Sequence, residues 1–188
     1  MLRLLAALAA CVLAAGCGLP EDDQPRVVTQ EDAPLTLVPE VTTTTVMAEG
    51  AAEVELYFVA TDGRLRAVDR EVSERTPRTV LEVLIDGPTA VDPAGLTSSI
   101  PTDTELLGAT RAETTLTVDL GPATAVIFSI GGAQQLTAFG QIVLTAVELP
   151  NVDSVRFLLE GAPFSVPTDE GTSAQPVTAR DYASLQPP

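Results

Sequence analysis

This chain has no histidine, no tryptophan and no lysine; all ten of its basic residues are arginine. Without histidine it cannot build a Ser-His-Asp triad, a Cys-His pair or an imidazole metal site, which removes the commonest hydrolase designs. Aromatic residues make up only 4% of the chain, too few to furnish a stacking groove for sugars or single-stranded nucleic acid. Its two cysteines, Cys11 and Cys17, both lie near the start, so the remainder has no disulfide to rely on. The scarcity of positive charge leaves a formal net charge of −16. Phosphate backbones and anionic headgroups repel such a chain, so nucleic acid is not an expected partner. Attraction to a basic partner is the functional reading of that charge; solubility is the plain one.

Long apolar runs are also missing. The uncharged stretch from Leu4 to Leu13 follows Arg3 and is far shorter than the roughly 20 residues a membrane-spanning helix needs. It reads as an export signal. Ala14, Ala15 and Gly16 are the small residues a signal peptidase requires, and Cys17 follows them directly. This arrangement resembles the signal of bacterial lipoproteins. The resemblance implies cleavage before Cys17, a diacylglycerol on its thiol, and further acyl chains such as palmitate. The segment Leu8-Ala9-Ala10-Cys11 is a competing match, but it leaves too short an apolar run before it. Residues 1–16 are thus expected to be the signal peptide and Cys17 the lipidation site. The anchor places the protein on the extracytoplasmic side of the cell membrane.

Residues 17–50 contain Pro20, Pro25, Pro34, Pro39 and the run Thr42-Thr43-Thr44-Thr45, without a sustained apolar period. They read as a lipidated cysteine and flexible tether, with threonines that glycosylation could modify. From Glu53 the pattern changes. Val54, Leu56 and Phe58 alternate with Glu53, Glu55 and Tyr57, the period of a half-buried strand. Thr61-Asp62-Gly63 signals a turn, with a return strand over Leu65 to Val72. Thr76-Pro77 opens a helix and Gly87-Pro88 closes it. A hairpin follows, Leu106-Leu107 to Leu120, turning at Arg111-Ala112-Glu113. An irregular stretch then leads to a longer helix, about Ala133 to Leu149, with Leu136, Phe139, Val143 and Val147 on its apolar stripe. Gln135 and Gln141 are expected on its other, exposed side. A last strand carries Val155, Phe157 and Leu159, with Arg156 outward. This order predicts an α+β fold, a small mixed sheet with two helices packed on one face.

Several segments in this order are similar to the GerMN domain, named for a spore germination protein. They are Gly95-Leu96-Thr97-Ser98-Ser99-Ile100-Pro101 after the first helix, Leu116-Thr117-Val118-Asp119-Leu120, Gly131-Gly132 leading into the second helix, and Glu148-Leu149-Pro150-Asn151-Val152-Asp153-Ser154-Val155-Arg156-Phe157. Pro176-Val177-Thr178-Ala179-Arg180-Asp181-Tyr182 resembles the usual close of the family. The resemblance implies a GerMN-like domain over residues 51–185, related in shape to ring-building modules of envelope machines, with residues 186–188 beyond it. It also implies no catalytic residues. Read physically, the same residues are fold determinants, Gly131 and Gly132 as positions of unusual backbone freedom.

Any enzyme made from this chain must use acids, hydroxyls or arginine. Asp62, Asp69, Asp103, Glu105 and Asp119, with Ser98 and Ser99, are the candidates. Asp62 sits in a turn, where acids serve local geometry, and Asp119 alternates outward. Asp169-Glu170-Gly171 is too short for a calcium loop. No catalytic residue, metal site or cofactor is therefore expected. The function expected is an envelope interaction module docking through a sheet edge or helix face, with capture of a cell-wall fragment or small molecule as the alternative.

Overall fold

The computed structural model describes residues 51–124 and 131–187. The expected export signal, Cys11, Cys17, the Thr42 to Thr45 run and part of the irregular stretch before the second helix lie outside them.

The first strand, β1 (Ala52–Val59), buries Val54, Leu56 and Phe58, as the alternation requires. Gly63, at φ 80°, takes the left-handed turn position. The Asp62 carboxylate accepts the Arg64 amide at 3.0 Å, and β2 (Leu65–Val72) returns antiparallel. Helix α1 (Pro77–Asp86) starts where the Thr76 hydroxyl accepts the Thr79 amide at 3.2 Å. It ends at Gly87, whose φ of 85° no β-carbon would favour. Val80, Leu81, Leu84 and Ile85 form its buried side.

Strands β3 (Leu106–Ala112) and β4 (Thr115–Leu120) make the second hairpin. Helix α2 (Gly132–Val147) then crosses over to β5 (Ser154–Leu159), which lies parallel to β4. Leu81 and Ile85 of α1, Ile142 of α2, and Leu106, Val118 and Leu120 converge on one another, so both helices cover the same sheet face. Phe139 meets the Phe157 ring edge-on at 5.1 Å and is fully buried with Val143. Arg156 is exposed, as expected.

The α+β architecture stands, with two refinements. Among the described residues hydrogen bonding divides the strands into three sheets: β1-β2; β3-β4-β5 with the short β6 (Ala162–Pro163); and β7 (Val166–Thr168) with β8 (Gly171–Ser173). The segment after β5 is also integral to the core. Val155 and Val177 exchange backbone hydrogen bonds at 2.8 and 2.9 Å. A 3-10 helix (Ala179–Leu185) opened by a Thr178/Asp181 capping box buries Tyr182 and Leu185. This segment packs on α2 at Gly140, where an added β-carbon would come within 2.5 Å of Leu185 Cδ1.

Helix α2 is consequently enclosed on several sides. Every residue from Ala138 to Ala146 is buried, the pattern of an interior helix rather than one with a solvent face. The expectation that Gln141 is exposed is therefore wrong: it is 0% exposed, and Gln135 is half-buried. Gly131 and Gly132 also differ from expectation. Gly131 has an ordinary φ of −60°, neither residue has positive φ, and neither has a neighbour that a β-carbon would strike.

Candidate docking surface on the first hairpin

The predicted candidates do not converge. Asp62 holds its turn. Asp103 and Glu105 are exposed around a tight turn in which the Thr104 amide meets Pro101 O at 3.0 Å. The Asp119 carboxylate accepts the Gly161 amide at 2.9 Å, fastening the loop after β5. Asp169, at the β7–β8 turn, accepts the Ser184 amide at 2.9 Å and so ties that hairpin to the 3-10 helix.

Ser98 and Ser99 belong to a buried clamp built by Gln141. Its Nε2 donates to Tyr57 O at 3.0 Å and to Ser98 Oγ at 3.4 Å, while its Oε1 accepts the Ser99 amide at 2.7 Å. Beside it the Thr145 hydroxyl accepts the Tyr57 amide at 3.0 Å. The adjacent Val59 pairs with Thr97 through two backbone hydrogen bonds of 2.9 Å. Two polar side chains of α2 thus complete the backbone pairing of the β1 edge, which would otherwise be buried unsatisfied. This is a fold device, not a reactive centre.

The structure does gather acids elsewhere. In the β1-β2 register Glu53 lies opposite Glu71, and Glu55 opposite Asp69. All four side chains are exposed on one face of the hairpin. Directly opposed like charges destabilise a strand pair. A fifth carboxylate, Glu148, adjoins them at the end of α2, where the helix dipole disfavours negative charge. It accepts the Tyr57 hydroxyl at 3.2 Å, and Arg75 donates to the Glu148 carbonyl at 3.1 Å. Desolvation first, then the Glu148 and Asp69 carboxylates, push the Glu55 carboxyl above its ordinary value. Tyr57 is pushed up to about 12 by burial and then by Glu148. Asp69 alone of this group was a sequence candidate. The alternation of Glu53 and Glu55 and the acids of β2 were visible; their pairing was not, because it depends on register.

An oppositely charged pair also stands at β2. Arg70 Nη2 donates to Asp92 Oδ2, with side chains 13% and 4% exposed, and the guanidinium lies 5.7 Å from the Phe58 ring centre. Burial acts to raise the Asp92 carboxyl, but hydrogen bonds from Thr89 and Arg70 outweigh it and hold the group below its ordinary value. Among the described residues no group of acids or cysteines is arranged to hold a metal ion, and no helix is long and apolar enough to cross a membrane.

Strand order, enclosed helix and buried C-terminal segment define a single α+β domain of the GerMN type. A family model described as "Germane: Sporulation and spore germination" matches residues 55–165, and the chain belongs to that family. The match ends before Val166, although the buried residues beyond it complete the core. The fold is similar to the tandem GerMN domains of the sporulation protein GerM from Bacillus subtilis, with TM-score 0.56 and 21% identity over 74% of this chain. The chain spans about half of that structure, 49%. The first GerMN domain of the same protein matches with TM-score 0.51 and 20% identity, over 59% of this chain and 84% of that domain. A comparison with curated proteins found no match.

Proposed function

We propose that this protein is a lipid-anchored, non-enzymatic interaction module of the bacterial envelope, held on the extracytoplasmic side of the membrane by acyl chains on Cys17. Its docking surface is the acidic face of the first hairpin, and its partner is an envelope or cell-wall-associated protein with a basic surface. The anchor rests on Arg3, the apolar run from Leu4 to Leu13 and the Ala14-Ala15-Gly16-Cys17 junction. One acyl chain holds a protein only marginally; a diacylglycerol with a further chain makes release slow. That the module is non-enzymatic rests on the lack of histidine and on candidate acids engaged in turns and loop fastenings.

The observation that carries the docking reading is the register of β1 and β2. Glu53 opposite Glu71 and Glu55 opposite Asp69, with Glu148 alongside, hold charge where strand pairing and the helix end both oppose it. A local rule broken without an evident gain in stability marks a surface kept for another purpose. Crosslinking in living cells tests it. The variant carrying Glu53→Gln, Glu55→Gln, Asp69→Asn and Glu71→Gln is expected to keep its fold and membrane fraction and to lose the crosslinked complex of the native chain. An unchanged complex would remove the acidic face from consideration.

A further inference from the structure

A groove of about 550 Å³ runs beside β2, lined by Ala67, Val68, Asp69, Arg70 and Glu71 and walled by Val91 to Pro93. Successive strand residues point to opposite faces. Five consecutive ones can line a single depression only where it follows the edge of the strand. Among the described residues β2 pairs only with β1, and none of them takes up its other edge as a strand. The opposite wall is fastened: Arg70 of β2 grips Asp92, and the Asp92 carboxylate also takes the Thr89 amide and hydroxyl.

We propose that this groove receives an extended segment of another protein, alternating basic and apolar residues, which adds to β2 as a third strand. The inference rests on the docking reading above and specifies its geometry. Main-chain hydrogen bonds to a free edge give affinity, and alternate side chains give selectivity. The alternation follows from the two faces of β2. On one face the added strand meets Asp69 and Glu71, already opposed by Glu55 and Glu53, so a basic side chain there relieves like-charge repulsion. On the other face the ion pair neutralises Arg70, and Val91, 89% exposed, stands ready for an apolar one. A second copy of this chain is the wrong occupant. Its own β2 would bring Asp69 and Glu71 against the same residues, and charged edges of this kind keep sheets from self-pairing.

The test uses the full chain, nitrogen-15 labelled, in detergent micelles. The probe is a short capped peptide alternating valine and arginine. The control is the same peptide N-methylated on every amide, equal in charge but unable to donate to a strand ladder. The expected result is newly exchange-protected amides at Ala67, Asp69 and Glu71, which face away from β1 because the Tyr57 amide and carbonyl opposite Ala67 bond to α2 instead, with shifts also at Val91 and Asp92. The methylated peptide should bind at least about tenfold more weakly, a difference near 1.4 kcal/mol. Asp69→Asn with Glu71→Gln should weaken the unmethylated peptide without lowering the melting temperature.

Equal binding of the methylated peptide would overturn the added strand while leaving charge-driven docking intact. Shifts confined to other elements, or none at all, would overturn it too. So would amides at Ala67, Asp69 and Glu71 that are already protected in the free chain, because the outer edge would then be taken by the chain itself or a second copy. Failure of the docking reading looks different. The charge-neutral face variant then keeps its cellular crosslinks, whatever the peptide does.

Discussion

Gln141 is the residue at which a polar side chain does the work of a missing strand. Gln141→Leu preserves bulk but leaves Tyr57 O and the Ser99 amide without the partners described above. Each unsatisfied group costs about 1–3 kcal/mol, so a loss of about 2–6 kcal/mol is expected in urea denaturation. Glu55 works in the opposite direction. Its carboxyl is raised in the folded protein, so protonation favours the fold. That advantage is complete below the ordinary value of 4.5 and disappears as pH rises through the raised folded value. Glu55→Gln should therefore melt higher than the native chain at neutral pH and alike well below pH 4.5. A melting series across that range checks both ends. Asp92 has the reverse sign. Its lowered carboxyl contributes stability above the ordinary 3.8, lost as pH falls through the folded value. Asp92→Ala should cost about 2 kcal/mol at neutral pH, the scale of a hydrogen bond to a charged group.

Elements were more legible than their surroundings. The half-buried strand β1, the Thr76 cap, the Gly87 stop and the stripe on α2 are short-range patterns, and each stands close to where its residues place it. Thr76→Ala is expected to cost about 1 kcal/mol. Phe139→Ala should cost about 3–5 kcal/mol, because its ring contacts with Phe157 leave a cavity when removed. Both are measurable by thermal melting. What stayed hidden depends on residues far apart in the chain. A buried glutamine has the same letter as an exposed one, and only the edge of β1 and the Ser99 amide make Gln141 an interior residue. Likewise β6, β7 and β8 are too short to show a period. The acidic face required a register that the Asp62-Gly63 turn sets but does not spell out.

At the scale of the whole molecule, the family match and the folded unit have different ends. Val166, Val177, Tyr182 and Leu185 are buried but lie past the matched residues 55–165. Burial of such side chains contributes about 1.5–3 kcal/mol each, against a total stability of about 5–15 kcal/mol for a domain. A chain cut after residue 165 should therefore lack a cooperative melting transition, which calorimetry would show. The proposed anchor belongs to the same scale. Cys17→Ser should abolish incorporation of labelled fatty acid and leave the protein unprocessed or outside the membrane fraction, while Cys11→Ser changes neither. Labelling of the Cys17→Ser chain at the native level would show that the thiol is not the attachment point.

Arg64, at the start of β2, donates to Gln186 O at 2.7 Å across 122 positions of sequence, near where Leu65 and Leu185 meet over Gly140. The core thus shuts between its earliest strands and its final turn. A polypeptide emerging from a ribosome presents the first hairpin long before the residues that lock it down, and such distant closures are slow to form. Until then the side of α2 at Gly140 lacks the cover that Tyr182 and Leu185 give it. The architecture carries its own timer: folding finishes only after the last turn of the domain has joined the first hairpin.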